Sequence, residues 1–244
     1  MKHYGLIGKS LNHSFSKDYF TNKFEKEGLD ANYLLCELDS ISKVNTIFAK
    51  NWQGLNVTIP YKEQIIPYLN EVDELAATIG AVNTIQVRQK EGKIWLKGYN
   101  TDVIGFEQTL RPLLKSHHTQ ALVLGTGGAS KAVIYVLKKL NISYSCVSRE
   151  AGIDKLSYDE LNAEIITTHT LIINTTPLGM FPDIEGYPDI PYSAIGERHL
   201  LYDLVYNPKE TVFLKKGKDF GANIMNGLNM LQLQAEAAYK IWNE

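Results

Sequence analysis

The sequence predicts an α/β protein built as two domains, and three observations carry that expectation. Strand-type and helix-type segments alternate along the chain, which implies largely parallel sheets. The alternation runs twice, and the two runs meet near residues 100–105. In the second run a glycine-rich turn, GTGGAS (Gly125 to Ser130), stands between an apolar strand and a helix.

The elements of the first run follow from local patterning. HYGLIG (3–8) reads as a short strand. SKDYFTNKFEKEG (16–28) reads as a helix, with Ser14 or Ser16 as its cap, Phe20 and Phe24 four residues apart on one face, and Gly28 as a stop. NYLLCEL (32–38) is a second strand, and SISKVNTIFAKN (40–51) places Ile41, Val44, Ile47 and Phe48 on one helical face. GLNVTI (54–59) is a third strand, and AVNTIQVRQKEGKIWLKGYN (81–100) reads as a hairpin turning at Glu91-Gly92.

The second run opens with TDVIGFEQTLRPLL (101–114), a helix with Thr101 or Asp102 as cap. Residues 121–149 then give strand, glycine turn, helix and strand, with Ala132, Val133, Val136, Leu137 and Leu140 on the inner face of the helix. Strands follow at LIINTT (171–176), LLYDLVY (200–206) and NIMN (223–226), and GLNMLQLQAEAAYKIW (227–242) is a last helix.

Composition narrows the function. The chain has 244 residues, 44% of them hydrophobic and 21% charged, as in ordinary globular domains able to bury a core. A net charge of −2 gives no electrostatic basis for binding nucleic acid or an anionic membrane. No apolar run reaches the roughly 18 residues of a membrane-spanning helix, and the opening MKHYGLIGKS turns polar too early for a secretory signal, so a cytoplasmic location is expected. Cys36 and Cys146 sit in apolar strand contexts and read as buried thiols, not as a disulfide or a metal pair; no metal site is expected.

The glycine turn points to a dinucleotide. Gly125 permits the tight turn, Gly127 lets backbone approach a pyrophosphate, and helix N-terminal amides favour anionic phosphate. Ser130 stands where the third glycine of GxGxxG usually stands. The following strand ends Ser148-Arg149-Glu150. A hydroxyl and a planar guanidinium suit the 2′-phosphate of NADP, whereas Glu150 would suit the free ribose of NAD. NADP is favoured and NAD stays open.

The first run carries polar groups where an apolar strand end would suffice. In NVTIPYK (56–62), Asn56 and Thr58 share a strand face, Pro60 ends the strand, and Lys62 follows. Ser14 and Ser16, Asn83 in GAVNT and Asp102 in YNTD also lie near strand ends. Ligands of open α/β sheets sit at the carboxyl ends of strands. Hydroxyls, amides, one ammonium and one carboxylate suit a small polyhydroxylated acid. With a nicotinamide in the other domain, that inventory points to hydride transfer. Lys62 would stabilise and protonate the developing alkoxide, and Asp102 would orient it.

These residues resemble the shikimate dehydrogenase (shikimate/quinate dehydrogenase) family. The likeness rests on GKSLNHSFSKDYFT (8–21), NVTIPYK (56–62), IGAVNT (79–84), GYNTD (98–102), GTGGAS (125–130), NTTPLGM (174–180), YDLVYNP (202–208) and NGLNMLQLQAEAAYKIW (226–242), eight matches in family order. The resemblance implies an N-terminal α/β sandwich that binds substrate and a C-terminal Rossmann-type NADP-binding domain. The expected boundaries are 1–103 joined by the terminal helix 227–244, and 104–226. It implies NADPH-dependent reduction of 3-dehydroshikimate to shikimate in chorismate biosynthesis. By position, Ser14 and Ser16 resemble the pair that holds the substrate carboxylate. Asn56, Thr58, Asn83, Asp102 and Gln234 resemble its polyol contacts, and Tyr206 a tyrosine on the carboxylate side. Lys62 resembles the catalytic lysine, acting with Asp102. Gly125, Gly127, Gly128, Ala129 and Ser130 resemble the phosphate turn. Thr175 and Met180 lie in the cofactor-lining segment, and Val205 and Gly227 resemble backbone positions near the nicotinamide. Ser148-Arg149-Glu150 departs from the family's Asn-Arg-Thr. Two alternatives remain at this level: an NAD-dependent quinate/shikimate dehydrogenase, and a non-catalytic ligand-sensing paralogue. The expected partner is a small molecule, with the chain a monomer or homodimer.

Overall fold

The computed structural model describes residues 1–11 and 14–244, so Asn12 and His13 of the GKSLNHSFSKDYFT stretch lie outside the described residues. The chain divides into two compact units, Met1–Thr101 with Ala235–Glu244, and Asp102–Gln234.

The first unit is built on β1 (Lys2–Gly8), α1 (Phe15–Lys26), β2 (Ala31–Glu37), α2 (Asn45–Phe48), β3 (Gly54–Val57), β4 (Glu71–Val72), α3 (Glu74–Ile79), β5 (Thr84–Lys90) and β6 (Lys93–Tyr99). Its sheet has the order β2-β1-β3-β5-β6-β4. β1 runs parallel to β2 and β3, whereas β5 runs antiparallel to β3 and to β6. The β5–β6 hairpin turns at Glu91 and Gly92, both at positive φ, where a two-residue turn matches the strand twist. One face of the sheet buries Leu55, Val57, Tyr61, Ile65 and Ile85; the other is lined by Tyr4, Phe20, Phe24 and Tyr33, closed by Ala238 and Trp242 of the terminal helix.

The second unit contains α4 (Asp102–Leu110), β7 (Gln120–Leu124), α5 (Gly128–Lys139), β8 (Ser143–Ser148), β9 (Lys155–Ser157), α6 (Ala163–Thr168), β10 (Leu171–Asn174), β11 (Leu200–Asp203), α7 (Val212–Asp219), β12 (Asn223–Met225) and the start of α8 (Leu228–Trp242). All five strand pairings are parallel, in the order β12-β11-β10-β7-β8-β9. Numbered within the unit, that is 6-5-4-1-2-3, the Rossmann arrangement, with its switch point between β7 and β10. The glycine turn after β7 therefore lies where such sheets bind ligands.

Some boundaries differ from expectation. Ser14, not Ser16, caps α1, its hydroxyl accepting from Lys17 N; Ser16 is already the second helical residue. The helix expected over 40–51 is a 3₁₀ turn (Ile41–Lys43) followed by the single turn of α2. Val44, Ile47 and Phe48 are still buried. Apolar contact sufficed where helix length did not. β3 stops at Val57, although Thr58 N still donates to Ile7 O at 2.8 Å. β10 and β11 likewise stop at Asn174 and Asp203, short of 176 and 206. Leu140 caps α5 half-buried, short of its inner face.

Candidate functional site

In the first unit the predicted polar residues form one hydrogen-bonded cluster. Asn56, on β3, donates through Nδ2 to Asn83 O and to Thr84 Oγ1, each at 3.2 Å. Thr84 Oγ1 donates to Asn83 Oδ1 at 3.1 Å, and Asn83 Nδ2 donates to Thr101 Oγ1 at 3.0 Å. Thr101 N returns a bond to Asn83 Oδ1 at 2.8 Å. Asn56, Asn83, Thr84 and Thr101 are all buried. Buried polar groups persist only when satisfied, so this cluster fixes where its remaining lone pairs and donors point. The pairing Asn56↔Thr84 in the β3–β5 register brings the two strand ends together.

The segment that carries Lys62 is fastened at several points. Tyr61 is buried and donates through Oη to Leu38 O at 2.5 Å. Val82 N donates to Lys62 O at 2.7 Å, which ties the lysine's backbone next to Asn83. Tyr61 N donates to Thr58 O at 2.9 Å. Gly8 makes room for Thr58, since a Cβ there would lie 2.7 Å from Thr58 Cγ2. Lys62 and Thr58 are half-buried beside exposed Ile59. The lysine therefore stands on a pinned backbone and is partly shielded from water.

Ser14 and Ser16 stand at the start of α1, both half-buried. Burial holds the Tyr33 hydroxyl well above the ordinary tyrosine range, with Ser16 opposing the rise. Tyr33 donates to Asn56 Oδ1 at 2.7 Å. Tyr33 and the amide cluster are thus parts of one network within this unit.

In the second unit the glycine turn has the geometry a phosphate needs. Gly125 has φ +106°, and a Cβ there would lie 2.7 Å from Thr175 Oγ1. Around Gly127 nothing lies within 4 Å of the Cβ position. Gly127 is also the N-cap of α5, with no side-chain cap bond to the first amides. Ser130, in place of the third glycine, turns its hydroxyl back onto Gly127 O at 2.6 Å and is buried, so it does not obstruct the turn. These residues fit a dinucleotide pyrophosphate. Gly128 and Ala129 open the helix, half-buried. At the end of β8, Ser148 Oγ donates to Glu150 O, while Arg149 and Glu150 are exposed.

A buried carboxylate organises the next strand ends. Asp203, at the end of β11, accepts from Asn174 Nδ2 at 2.9 Å, Val205 N at 3.0 Å and Thr211 Oγ1 at 2.6 Å. Burial pushes its pKa up to about 6, opposed by those three donors. Asn174 Oδ1 then accepts from Thr176 N at 3.0 Å and Thr176 Oγ1 at 2.6 Å. Thr175 Oγ1 donates to Leu124 O at 2.7 Å. Val205 is buried and its carbonyl accepts from Gly227 N at 3.1 Å; a Cβ on Gly227 would lie 2.1 Å from Leu204 O. Thr175, Val205 and Gly227 therefore belong to one fastened patch. Met180 is 42% exposed and Tyr206 half-buried. Asp102 opens α4 and is buried, and buried Gln234 donates to Leu231 O of its own helix at 2.9 Å.

Beyond the residues that the sequence marks for a ligand site, these networks draw in others, among them Tyr33, Thr84, Thr101 and Asp203. Thr84 and Thr101 lie inside the GAVNT and YNTD stretches, next to Asn83 and Asp102, and that adjacency was their signal. Asp203 lies inside YDLVYNP. Tyr33, in the apolar strand NYLLCEL, carried no local signal.

Comparison with known proteins agrees with this geometry. Residues 6–85 match the family model described as shikimate dehydrogenase substrate binding domain. The shikimate dehydrogenase (NADP(+)) of Halothermothrix orenii is 39% identical over 262 residues, covering 98% of this chain and 89% of that protein. The crystal structure of shikimate dehydrogenase from Aquifex aeolicus superposes with a TM-score of 0.86 at 36% identity, covering 100% of this chain and 92% of the other. That of the Thermus thermophilus enzyme, in complex with NADP(H) and shikimate, superposes with a TM-score of 0.84 at 29% identity, covering 99% and 93%. With both units represented at these identities across almost its whole length, the chain belongs to the shikimate dehydrogenase family.

Proposed function

We propose that this protein reduces 3-dehydroshikimate reversibly to shikimate with NADPH, the step that leads toward chorismate and the aromatic amino acids. The observation that carries this reading is the buried amide–hydroxyl cluster of Asn56, Asn83, Thr84 and Thr101 beside the fastened Lys62 segment. A ring bearing several hydroxyls matches such a polar cluster, as an apolar ligand does not.

In this reading most contacts to the acid come from the first unit and those to the dinucleotide from the second, and the bound nicotinamide supplies or accepts the hydride. Gly125 to Ser130 hold the pyrophosphate, with Ser148 and Arg149 at the 2′-phosphate. Thr175, Met180, Val205 and Gly227 line the remainder. Ser14, Ser16 and Tyr206 hold the carboxylate. Asn56, Thr58, Asn83 and Gln234 hold the hydroxyls. Lys62 and Asp102 are the catalytic pair. As the carbonyl carbon gains hydride its oxygen gains negative charge; Lys62 Nζ stabilises that charge and delivers a proton to it. In the oxidation direction the same atom takes the proton back. The role needs no nucleic acid and no membrane, and among the described residues no helix is long and apolar enough to cross one. We expect a cytoplasmic monomer or homodimer.

The test is oxidation of shikimate by the purified protein with NADP and NAD assayed side by side. Turnover with NADP at the higher kcat/KM is expected. Turnover only with NAD would redirect the cofactor assignment, and none with either would overturn the reading.

A further inference from the structure

The hydroxyl of Tyr33 occupies a specific place. It lies on β2, two strands away from Asn56, with β1 between them. In the sheet register Leu35, Leu6 and Asn56 stand abreast, so Tyr33 starts two residues earlier and leans across β1 to arrive at the amide. Its ring stacks on Phe20 at 4.8 Å and 15°, and faces Trp242 at 6.5 Å. Phe20 follows Ser16 by one helical turn of α1. The helix face that carries Ser16 therefore supports the ring through Phe20. Tyr33 itself is 2% exposed.

The bonding then has a direction. Tyr33 donates its proton to Asn56 Oδ1. That bond requires the oxygen of the Asn56 amide to face Tyr33, and the nitrogen to face Asn83 O and Thr84 Oγ1. With Nδ2 committed to those two acceptors, what Asn56 retains is the second lone pair of Oδ1, an acceptor site.

We propose that Tyr33 is a positioning residue of the substrate site. It sets the orientation of the Asn56 amide so that Oδ1 accepts from a ligand hydroxyl. The proposal rests on the function proposed above for Asn56, but the orientation claim stands on the unit's own geometry.

Tyr33→Phe is the variant of choice, because it removes one oxygen and leaves the stacked ring in place. Kinetics and side-chain NMR are measured on wild type, Tyr33→Phe, Asn56→Ala and the double variant. In Tyr33→Phe the KM for shikimate should rise about tenfold, the yield of a net neutral hydrogen bond, with the KM for NADP moving less than about twofold. The double variant should lose much less than the product of the two single losses, since both remove one arrangement. The Asn56 side-chain amide resonances, identified by their absence in Asn56→Ala, should shift in Tyr33→Phe. A wild-type KM for shikimate in Tyr33→Phe, or losses that simply multiply, would overturn the role in binding. Should the wild type fail to turn over shikimate, the functional reading fails while the resonances still decide the positioning. Unmoved Asn56 resonances overturn it, and shifted ones uphold it.

Discussion

The side-chain amide of Asn174 donates to the carboxylate of Asp203 across 2.9 Å, with both residues fully buried at adjacent strand ends of the second unit. Val205 N and Thr211 Oγ1 complete a set of three donors around that carboxylate. No cation is among these three partners, so the charge is held by dipoles alone.

That arrangement has a pH signature. Burial raises the Asp203 pKa from its ordinary 3.8 to about 6. Between those values the native state holds a proton that the unfolded chain has released. Stability therefore falls as pH rises through the window, and the cost, about 3 kcal/mol, is complete above the folded value. Asp203→Asn lacks this titration. Denaturant unfolding of both proteins between about pH 4 and 7 should show the wild type losing ground to the variant as pH rises. A flat difference, or one of opposite slope, would contradict the account.

Ser14 and Ser16 should separate by phenotype. Both alanine variants should raise the KM for shikimate, since a hydroxyl bonded to a carboxylate contributes about 1.5–3 kcal/mol. Ser14→Ala should also lower stability by about 0.5–1 kcal/mol, because it removes the cap of α1. Thermal unfolding together with steady-state kinetics on both variants checks this. If neither KM moves, neither serine holds the carboxylate.

Arg149 should decide the cofactor. Arg149 is exposed at this strand end, and its guanidinium is the charged group there proposed to meet a 2′-phosphate. Arg149→Ala should raise the KM for NADP about tenfold or more and leave that for NAD nearly unchanged. An unchanged ratio of the two would place Glu150 on the ribose instead.

What the sequence revealed and what it hid divide along physical lines. The Phe20/Phe24 spacing, the Glu91-Gly92 turn and the strand–glycine–helix pattern at Gly125 are local signals, and each formed the element its pattern implies. The short elements α3, α6, α7, β4 and β9 were not assigned from sequence, because two to eight residues carry too little periodicity. β4 has no apolar pattern at all: it forms because β6 offers an edge. Within the site, Asn56 and Asn83 stood out as amides at apolar strand ends. Tyr33 did not, since its partner Asn56 lies 23 residues away and only the register of β2, β1 and β3 brings it to the hydroxyl. The hub role of Asp203 was hidden in the same way, as Asn174 is 29 residues distant.

The central claim is that Lys62 serves the chemical step, and kinetics of Lys62→Ala beside the wild type, with shikimate and NADP both saturating, test it most directly. The account predicts a fall in kcat of roughly 10²–10⁴-fold with shikimate binding largely retained, because the lysine's charge is needed as the alkoxide develops and less before it. An unchanged kcat with only the KM raised would contradict it and leave Lys62 as a binding contact.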